Sequence, residues 1–314
     1  MAKLAFSAGL ITWILQKTDL TAIWQSIKGA NFGLLAVAFL MFYLGYLIIA
    51  RRQQSLLQAQ NILVSIPFLL KSFAIGMFFT NLLPSTIGGD ASRMYDVWRV
   101  GGSKSKAVSV ILIDRFLGMF ALVVFGFLAS LLSSTMRDAI PGLALYFGAI
   151  LAAMGIVLWM VFGSGARLVD WLLGLHLGPL GFLQRIISKI ITGFELFRGQ
   201  GRLLLRAIGW SLLLQLNVMV HFVIMTRALG IEVPVTDMFV IVPVATLLML
   251  IPISINGIGL RDAIFVFMFG VYGVAAESAV AFAWIALAMV VVQGIVGAIV
   301  FMLRRSPGPR PIEE

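Results

Sequence analysis

Apolar stretches recur along the chain, separated by short polar and basic connections. An α-helix needs about 20 mostly apolar residues to cross the hydrocarbon core of a bilayer. Six stretches predict such membrane spans, at residues 4–15, 32–50, 108–132, 141–162, 203–229 and 279–303. The first is short, but no small-residue cleavage site precedes Lys17, which favours a retained span over a secretory signal peptide. The pattern predicts an all-α polytopic membrane protein.

Two further apolar stretches, at residues 65–83 and 238–251, run into residues that interrupt a helix. Proline removes a backbone donor and glycine favours turns, so both end or bend helices. Lipid cannot satisfy the freed backbone groups, and such a break survives only inside protein or along a wet cavity. The interrupting and adjoining residues are Pro84, Gly88, Gly89, Asp90 and Arg93 in the first break and Pro252, Asn256, Gly257, Gly259 and Arg261 in the second.

The two breaks resemble each other in sequence. When Pro84 is aligned with Pro252, Arg93 is paired with Arg261, and a glycine of each break coincides between them. A similar interruption in each half of an apolar chain is typical of transporters that bind substrate between two repeats. The breaks therefore indicate a substrate-binding site near the middle of the membrane.

Basic residues predict the orientation of the helices, because short cytoplasmic loops carry an excess of Lys and Arg. The basic residues on either side of residues 65–83 place both ends of this segment in the cytoplasm, so we expect it to form a re-entrant hairpin. Residues 238–272 are expected to form a second hairpin that enters from the outside. Both chain termini are predicted to be cytoplasmic, and the protein is expected in the cytoplasmic (inner) membrane.

The inverted hairpins predict the domain organisation. A single integral membrane domain, residues 1–314, would contain an N-terminal half-repeat at about 32–163 and a C-terminal half-repeat at about 203–303. The connection, residues 164–202, is basic and amphipathic and is expected to lie on the anionic inner leaflet. Residues 19–28 predict another interfacial helix, which Thr18 or Asp19 could cap.

Composition narrows the possible functions. Hydrophobic residues make up 61% of the chain and charged residues 11%, compared with about 45–50% and about 25% in soluble domains. The net charge of +10 comes from basic loops, so a nucleic-acid partner is not expected. The sequence has no cysteine and only two, widely separated histidines, so neither a metal site nor a cofactor is predicted. It also lacks the motifs of P-loop ATPases, zinc peptidases and serine hydrolases.

Arg115 is the most informative charged residue. It follows Ser105 by ten residues, which places it about 15 Å into the membrane at the rise of an α-helix. A mid-membrane Arg costs at least about 2.5 kcal/mol, so it should face protein or water and have a partner. Asp114 is the nearest candidate partner in sequence. The two residues could pair with neighbouring helices and fix their packing, or Arg115 could bind a phosphate through its guanidinium fork.

Arg93 and Arg261 follow the two breaks at matching positions. If the hairpin tips meet, both guanidinium groups and the start of a helix near Asp90 or Gly259 would converge on one anionic group. The alternatives are structural. Asp90 could cap a helix at residues 91–100, and Arg93 could be an ordinary cytoplasmic anchor.

Three further polar residues are secondary candidates. Asn217 and His221 lie four residues apart on one predicted span and could share a helix face. A His inside a membrane is a functional candidate, and the alternative is a hydrogen bond to a neighbouring helix. Asp262 could carry a proton for coupled transport. Gly294 and Gly297 are expected to allow close helix packing.

These features together resemble the lysylphosphatidylglycerol synthase transmembrane, or flippase-like, family over nearly the whole chain. The residues that match the family's motifs are Pro84, Gly89, Asp90 and Arg93 at the first break, Asp114 and Arg115 in the next span, and Pro252, Gly257 and Gly259 at the second break. Asp replaces the family's usual Glu at both acidic positions. The resemblance implies a stand-alone, UPF0104-type protein without a synthase domain, related to proteins of aminoacylated phosphatidylglycerol, hopanoid and polyprenyl-lipid pathways.

A lipid translocator is the main functional hypothesis. The headgroup of an anionic phospholipid or of a polyprenyl or hopanoid-type lipid would cross a polar cavity between the breaks, while its acyl chains stay in lipid. Arg93, Arg115 and Arg261 would hold the phosphate, and Asp90 or Asp114 would balance their charge. The alternatives are an intramembrane transferase and an accessory scaffold for an enzyme of envelope-lipid or polyprenyl-phosphate synthesis. Membrane lipids are the expected partners, and a lipid-synthesising enzyme or a second copy of the chain could associate.

Overall fold

The computed structural model describes residues 12, 16, 18–82, 87–100, 103–162, 197, 199–251 and 257–304. Helices form the regular structure of these residues. In chain order they are α1 Leu20–Lys28, α2 Phe32–Gln58, α3 Ile66–Leu82, α4 Ile87–Val100, α5 Lys104–Leu132, α6 Ser134–Ala139, α7 Leu143–Phe162, α8 Gly201–Ala228, α9 Val235–Leu250, α10 Leu260–Gly270 and α11 Ala276–Leu303.

The predicted all-α polytopic membrane architecture is confirmed. Within the described residues, α2, α5, α8 and α11 are long and apolar enough to cross a membrane, and α3, α7 and α9 are shorter apolar helices. The predicted first span, apart from Thr12, and most of the connection 164–202 lie outside the described residues. The predicted interfacial helix is α1, and the Asp19 carboxylate caps it by accepting the backbone N–H of Thr21 at 2.7 Å.

Two connections differ from the prediction. The helix expected to end at Ala50 continues to Gln58, because Arg52 and Gln53 are buried there together with Leu56 and Leu57. Tertiary contacts thus keep this polar stretch helical, although its composition is typical of a loop. The connection around Arg137 contains the short helix α6, which the hydroxyl of Ser133 caps by accepting the backbone N–H of Met136 at 3.1 Å.

Helices α3 and α4 form an antiparallel pair, named here the first hairpin. It is larger than the hairpin predicted at residues 65–83, because α3 continues as one helix through residues 66–82 and α4 is the returning arm. Gly76 of α3 lies directly against Gly89 of α4, and a Cβ at Gly89 would meet the Gly76 carbonyl oxygen at 2.7 Å. The Arg93 side chain passes Gly76 one turn further on. Small residues at this contact let the two helix backbones approach closely.

The first hairpin lies along the C-terminal half of α11. The Arg304 guanidinium, at the end of α11, pairs with Asp96 of α4 at 2.6 Å and lies over the Phe68 ring of α3 at 5.9 Å. Both open ends of the hairpin are therefore at one end of α11. Near the tip, Asn81 donates to the backbone oxygen of Val290 at 2.8 Å, and Val290 lies at the middle of α11.

Helices α9 and α10 form the second hairpin around residues 251–259. The Tyr272 hydroxyl donates to Asp237 at 2.6 Å, which ties the end of α10 to the start of α9. Its α10 arm lies against the N-terminal half of α11, where the Phe265 and Phe269 rings pack on the Phe282 ring.

The two hairpins approach the middle of α11 from opposite ends. Asp262, close to the tip of the second hairpin, lies near the indole of Trp284. Asn81, close to the tip of the first, contacts Val290. Trp284 and Val290 are six residues apart, or about 9 Å along a helix. Helix α11 therefore brings the neighbourhoods of both breaks to similar positions along its axis.

The predicted close packing at Gly294 and Gly297 is confirmed. A Cβ at Gly297 would collide with the Ala74 carbonyl oxygen of α3, and a Cβ at Gly294 would collide with the Asn81 amide. The Gly297 contact is with backbone, which cannot rotate away as a flexible side chain can.

Gly297→Val is therefore expected to lower the thermal unfolding midpoint of the detergent-solubilised protein, since overpacking costs about 1–3 kcal/mol or more. Gly209→Val in α8 is the matched control, because a Cβ at Gly209 has no neighbour within 4 Å among the described residues. Equal midpoint shifts for the two variants would contradict the close contact between α3 and α11.

Candidate functional site

Five charged side chains from α2, α4 and α5 form one connected group. They are Arg52 of α2, Asp90 and Arg93 of α4, and Asp114 and Arg115 of α5, and we call them the arginine–aspartate cluster. Helix α4 brings its first turn to this group because the first hairpin packs against both α2 and α5. The cluster is therefore assembled next to the first break.

Asp114 is the buried centre of the cluster. One carboxylate oxygen accepts from Arg52 Nε at 2.8 Å and the other accepts from Arg93 Nη2 at 2.8 Å. Its side chain is only 1% exposed. A buried carboxylate costs much free energy unless it is paired and hydrogen-bonded, and here each oxygen has a charged donor. Asp114 thus joins α2, α4 and α5.

The two guanidinium groups at Asp114 are held by further contacts. Arg93 Nη2 also donates to the Gln53 amide oxygen at 3.2 Å, and its guanidinium lies over the Phe73 ring at 4.0 Å. Arg52 Nη1 donates to the Ser211 hydroxyl of α8 at 2.8 Å. These contacts hold Arg52, Arg93 and Asp114, the inner part of the cluster, in place. The inner part is therefore suited to support a binding site and not to open itself.

The outer part of the cluster is the pair of Arg115 and Asp90. Arg115 Nε lies 3.0 and 2.9 Å from the two Asp90 oxygens, and Arg115 Nη2 lies 2.8 Å from one of them. The Arg115 side chain is 47% exposed and that of Asp90 is 18% exposed. Arg93 Nη1 is 3.5 Å from Asp90, so Asp90 bridges the outer and inner parts.

The charges of the cluster do not cancel. Three guanidinium groups face two carboxylates, which leaves one formal positive charge. Arg115 is its most exposed cation, and its fork already holds a carboxylate in the geometry that also suits a phosphate. The cluster can therefore accept one anionic group at Arg115.

The structure joins most of the predicted first-half residues. Arg93, Asp90, Asp114 and Arg115 form the cluster, and Gly88 and Gly89 are buried beside it. Pro84 lies outside the described residues. Asp90 does not cap a helix at residues 91–100 as one interpretation held, because α4 begins at Ile87 and Asp90 instead binds Arg115. Similarly, Arg93 is buried and is not a surface anchor.

The predicted second-half residues form a separate set of contacts. Gly257 and Gly259 have positive φ angles of 75° and 80°, a conformation that glycine adopts without the strain of a Cβ. Asp262 accepts the Gly259 N–H at 2.9 Å and so stabilises the start of α10. The Arg261 guanidinium lies beside Gly257 and is buried. Pro252 and Asn256 lie outside the described residues, and a pocket shared by Arg261, Arg93 and Arg115 remains a prediction.

Asn217 and His221 share a face, and both contact backbone oxygens of α2. His221 Nδ1 lies 2.8 Å from the Ala38 oxygen, and the Asn217 amide donates to the Met41 oxygen at 3.1 Å. The His221 contact is the bond to a neighbouring helix that the structural alternative expected, and Asn217 contacts the same helix.

Arg52, Gln53 and Ser211 were not among the predicted site residues. Arg52 follows Arg51 at the end of an apolar run, where a basic pair is usually a topology signal. Helical spacing could have distinguished Arg52 from Arg51, because Ile48, Arg52 and Leu56 lie on one helix face and are all buried.

The family assignment follows from the whole chain. Residues 1–301 match the model of the lysylphosphatidylglycerol synthase TM region. The chain belongs to this family. A UPF0104 membrane protein of Pyrococcus horikoshii is 29% identical over 164 residues, which cover 51% of this chain and 47% of that relative. The match therefore spans about half the length of this relative. The relative's name describes a membrane protein and states no activity.

Proposed function

We propose that this protein moves an anionic lipid across the bilayer, with the lipid phosphate bound at Arg115. The observation that carries the proposal is the outward-facing Arg115–Asp90 pair next to the first break. A charged pair that protein does not cover is costly against hydrocarbon, so the surface in front of it is expected to be wet or to hold a headgroup. Family membership supports a membrane-lipid role of this kind.

The arrangement of the hairpins supports a central translocation site. Both arms of the first hairpin open at the Arg304 end of α11, and both arms of the second open at the other end. If α11 spans the bilayer, the hairpins are re-entrant from opposite sides, and their tips lie near the midplane. This is the geometry of inverted half-repeats, here at about residues 32–163 and 203–303. We propose that the Arg304 end is cytoplasmic, as the positive-inside rule predicts.

Asp90 gives the site a means of exchanging anions. The Asp90 carboxylate occupies the Arg115 fork. A lipid phosphate that takes its place would leave Asp90 beside Arg93, which is already 3.5 Å away. Asp90 therefore keeps a cation partner throughout the exchange, and the lipid does not have to bind at the cost of an unpaired carboxylate.

Arg261 extends the proposal to the second hairpin. It holds the position that corresponds to Arg93 and is buried just after the second break. We propose that it stabilises the phosphate on the part of the path that the second hairpin lines. The acyl chains would remain in the bilayer, so only the headgroup needs polar contacts.

Reconstitution of the full chain into phosphatidylcholine vesicles tests the function. The vesicles would contain a trace of fluorescent phosphatidylglycerol, and added dithionite would report the label that reaches the outer leaflet. Protein-containing vesicles are expected to equilibrate the phosphatidylglycerol label faster than protein-free vesicles, with a smaller effect on labelled phosphatidylcholine. Equal rates with and without protein, for this lipid and for a polyprenyl phosphate probe, would overturn the proposal.

A further inference from the structure

The outward face of α5 continues from Arg115 to the open end of the first hairpin. Its exposed and half-exposed side chains recur at intervals of three and four residues, which is one helix face. They are Lys104, Val108, Leu112, Arg115 and Met119. The intervening Ala107, Val110 and Ile113 are buried. Lys104 and Arg115 are eleven residues apart, so about 16 Å of mainly apolar surface separates two cations.

Helix α4 adds aromatic and basic side chains at the Lys104 end of this face. Lys104 Nζ lies 4.8 Å from the centre of the Trp98 ring, and the Arg99 guanidinium lies 5.6 Å from that of Tyr95. The two aromatic residues are 39% and 48% exposed. The acidic residue within this part of α4, Asp96, is buried and paired with Arg304, so it does not offset the surface charge. The exposed part is basic and amphipathic.

We propose that this surface, the entry face, binds anionic phospholipid headgroups of the leaflet and delivers them to Arg115. The entry face consists of Tyr95, Trp98, Arg99 and Lys104 at its basic end and of Val108, Leu112 and Arg115 along α5. Charge complementarity selects the anionic headgroup, because basic residues at a membrane surface attract anionic lipids and aromatic rings settle at the headgroup level. The apolar residues between the two cations suit acyl chains that slide in the bilayer.

The proposal for the entry face has two steps, binding and delivery, and only delivery to Arg115 rests on the proposed function. Binding of anionic lipid at Lys104 and Arg99 needs only the surface itself, whereas delivery needs Arg115 to be a transfer site. The two steps therefore make different predictions for variants at the two ends of the face.

Trp98 emission provides the test of binding. The Trp98 contribution is the difference in emission between the wild-type chain and Trp98→Phe, both reconstituted in phosphatidylcholine vesicles. Brominated phosphatidylglycerol is expected to quench this contribution at a lower mole fraction than brominated phosphatidylcholine. Lys104→Gln and Arg99→Gln should each raise the half-quenching mole fraction of the anionic lipid by about fivefold, since one basic residue at a membrane surface contributes about that factor.

Lys28→Gln is the matched control, because Lys28 lies 5.5 Å from the ring of an exposed Trp24 on α1 and is not part of the entry face. It should leave the preference unchanged. Equal quenching by both brominated lipids in the wild type, or an undiminished anionic preference in Lys104→Gln and Arg99→Gln, would overturn the entry face. If the preference follows expectation but Arg115→Gln moves lipid at the wild-type rate, the binding surface stands and the transfer site at Arg115 fails.

Discussion

Asp114→Asn is expected to lower the free energy of unfolding by about 3–5 kcal/mol, the usual cost of removing one partner from a buried ion pair. The substitution conserves volume, so the loss would come from charge. Without the carboxylate, Arg52 and Arg93 would face each other while their side chains remain almost fully buried. Thermal unfolding in detergent, monitored by the tryptophan emission, measures the effect.

Arg52→Gln is the informative comparison for Asp114→Asn. It removes one cation from the cluster but leaves Asp114 with its 2.8 Å contact to Arg93. Since the three guanidinium groups outnumber the two carboxylates, we expect a smaller loss, of about 1.5–3 kcal/mol for a hydrogen bond to a charged group. Arg52→Gln as harmful as Asp114→Asn, or Asp114→Asn as stable as the wild type, would show that Asp114 is not the shared counter-ion.

Arg115→Gln is expected to slow the transfer of an anionic lipid by about 10- to 100-fold, which corresponds to losing charge-assisted hydrogen bonds worth about 1.5–3 kcal/mol. The unfolding midpoint should change little, because the side chain is half-exposed and Asp90 keeps Arg93 as a neighbour. The vesicle assay with fluorescent phosphatidylglycerol measures the rate, and the unfolding midpoint reports whether the variant folds.

Asp90→Asn gives the opposite test at the same place. It removes the carboxylate that competes for the Arg115 fork, so anionic lipid should saturate the site at a lower mole fraction than in the wild type. The two variants are therefore expected to shift lipid affinity in opposite directions. A shift in the same direction would mean that Asp90 and Arg115 act as one structural pair and that lipid binds elsewhere.

The helices could be predicted from the sequence because membrane spans depend on local apolar length, which is visible along the chain. The placement of Arg115 within a long apolar helix was predicted for the same reason. Its depth in the membrane, which was counted along that helix, remains a prediction. The partner of Arg115 was not predicted, because Asp90 is 25 positions earlier and lies on a different helix, α4. Adjacent Asp114 points to the other side of α5, toward Arg52 and Arg93.

Arg52 illustrates a second limit of the sequence. A basic pair after an apolar run has the same appearance whether it lies at a membrane surface or in a buried contact. The deciding fact is that Asp114 and Ser211, 62 and 159 residues away along the chain, lie opposite Arg52. Long-range contacts of this kind cannot be inferred from spacing along one helix. Spacing alone identifies Arg261 as the equivalent of Arg93 at the second break. It does not identify the residues that surround Arg261.

Helix α11 supports both hairpins near its centre, and this restricts how the molecule can move. Asn81 holds the first hairpin to Val290, and Asp262 of the second hairpin lies near Trp284. A rocking motion of either half would pivot on this short length of helix, so a bulky side chain introduced between Trp284 and Val290 should disturb the two halves at once. Helix α11 is therefore the shared structural support of both hairpins.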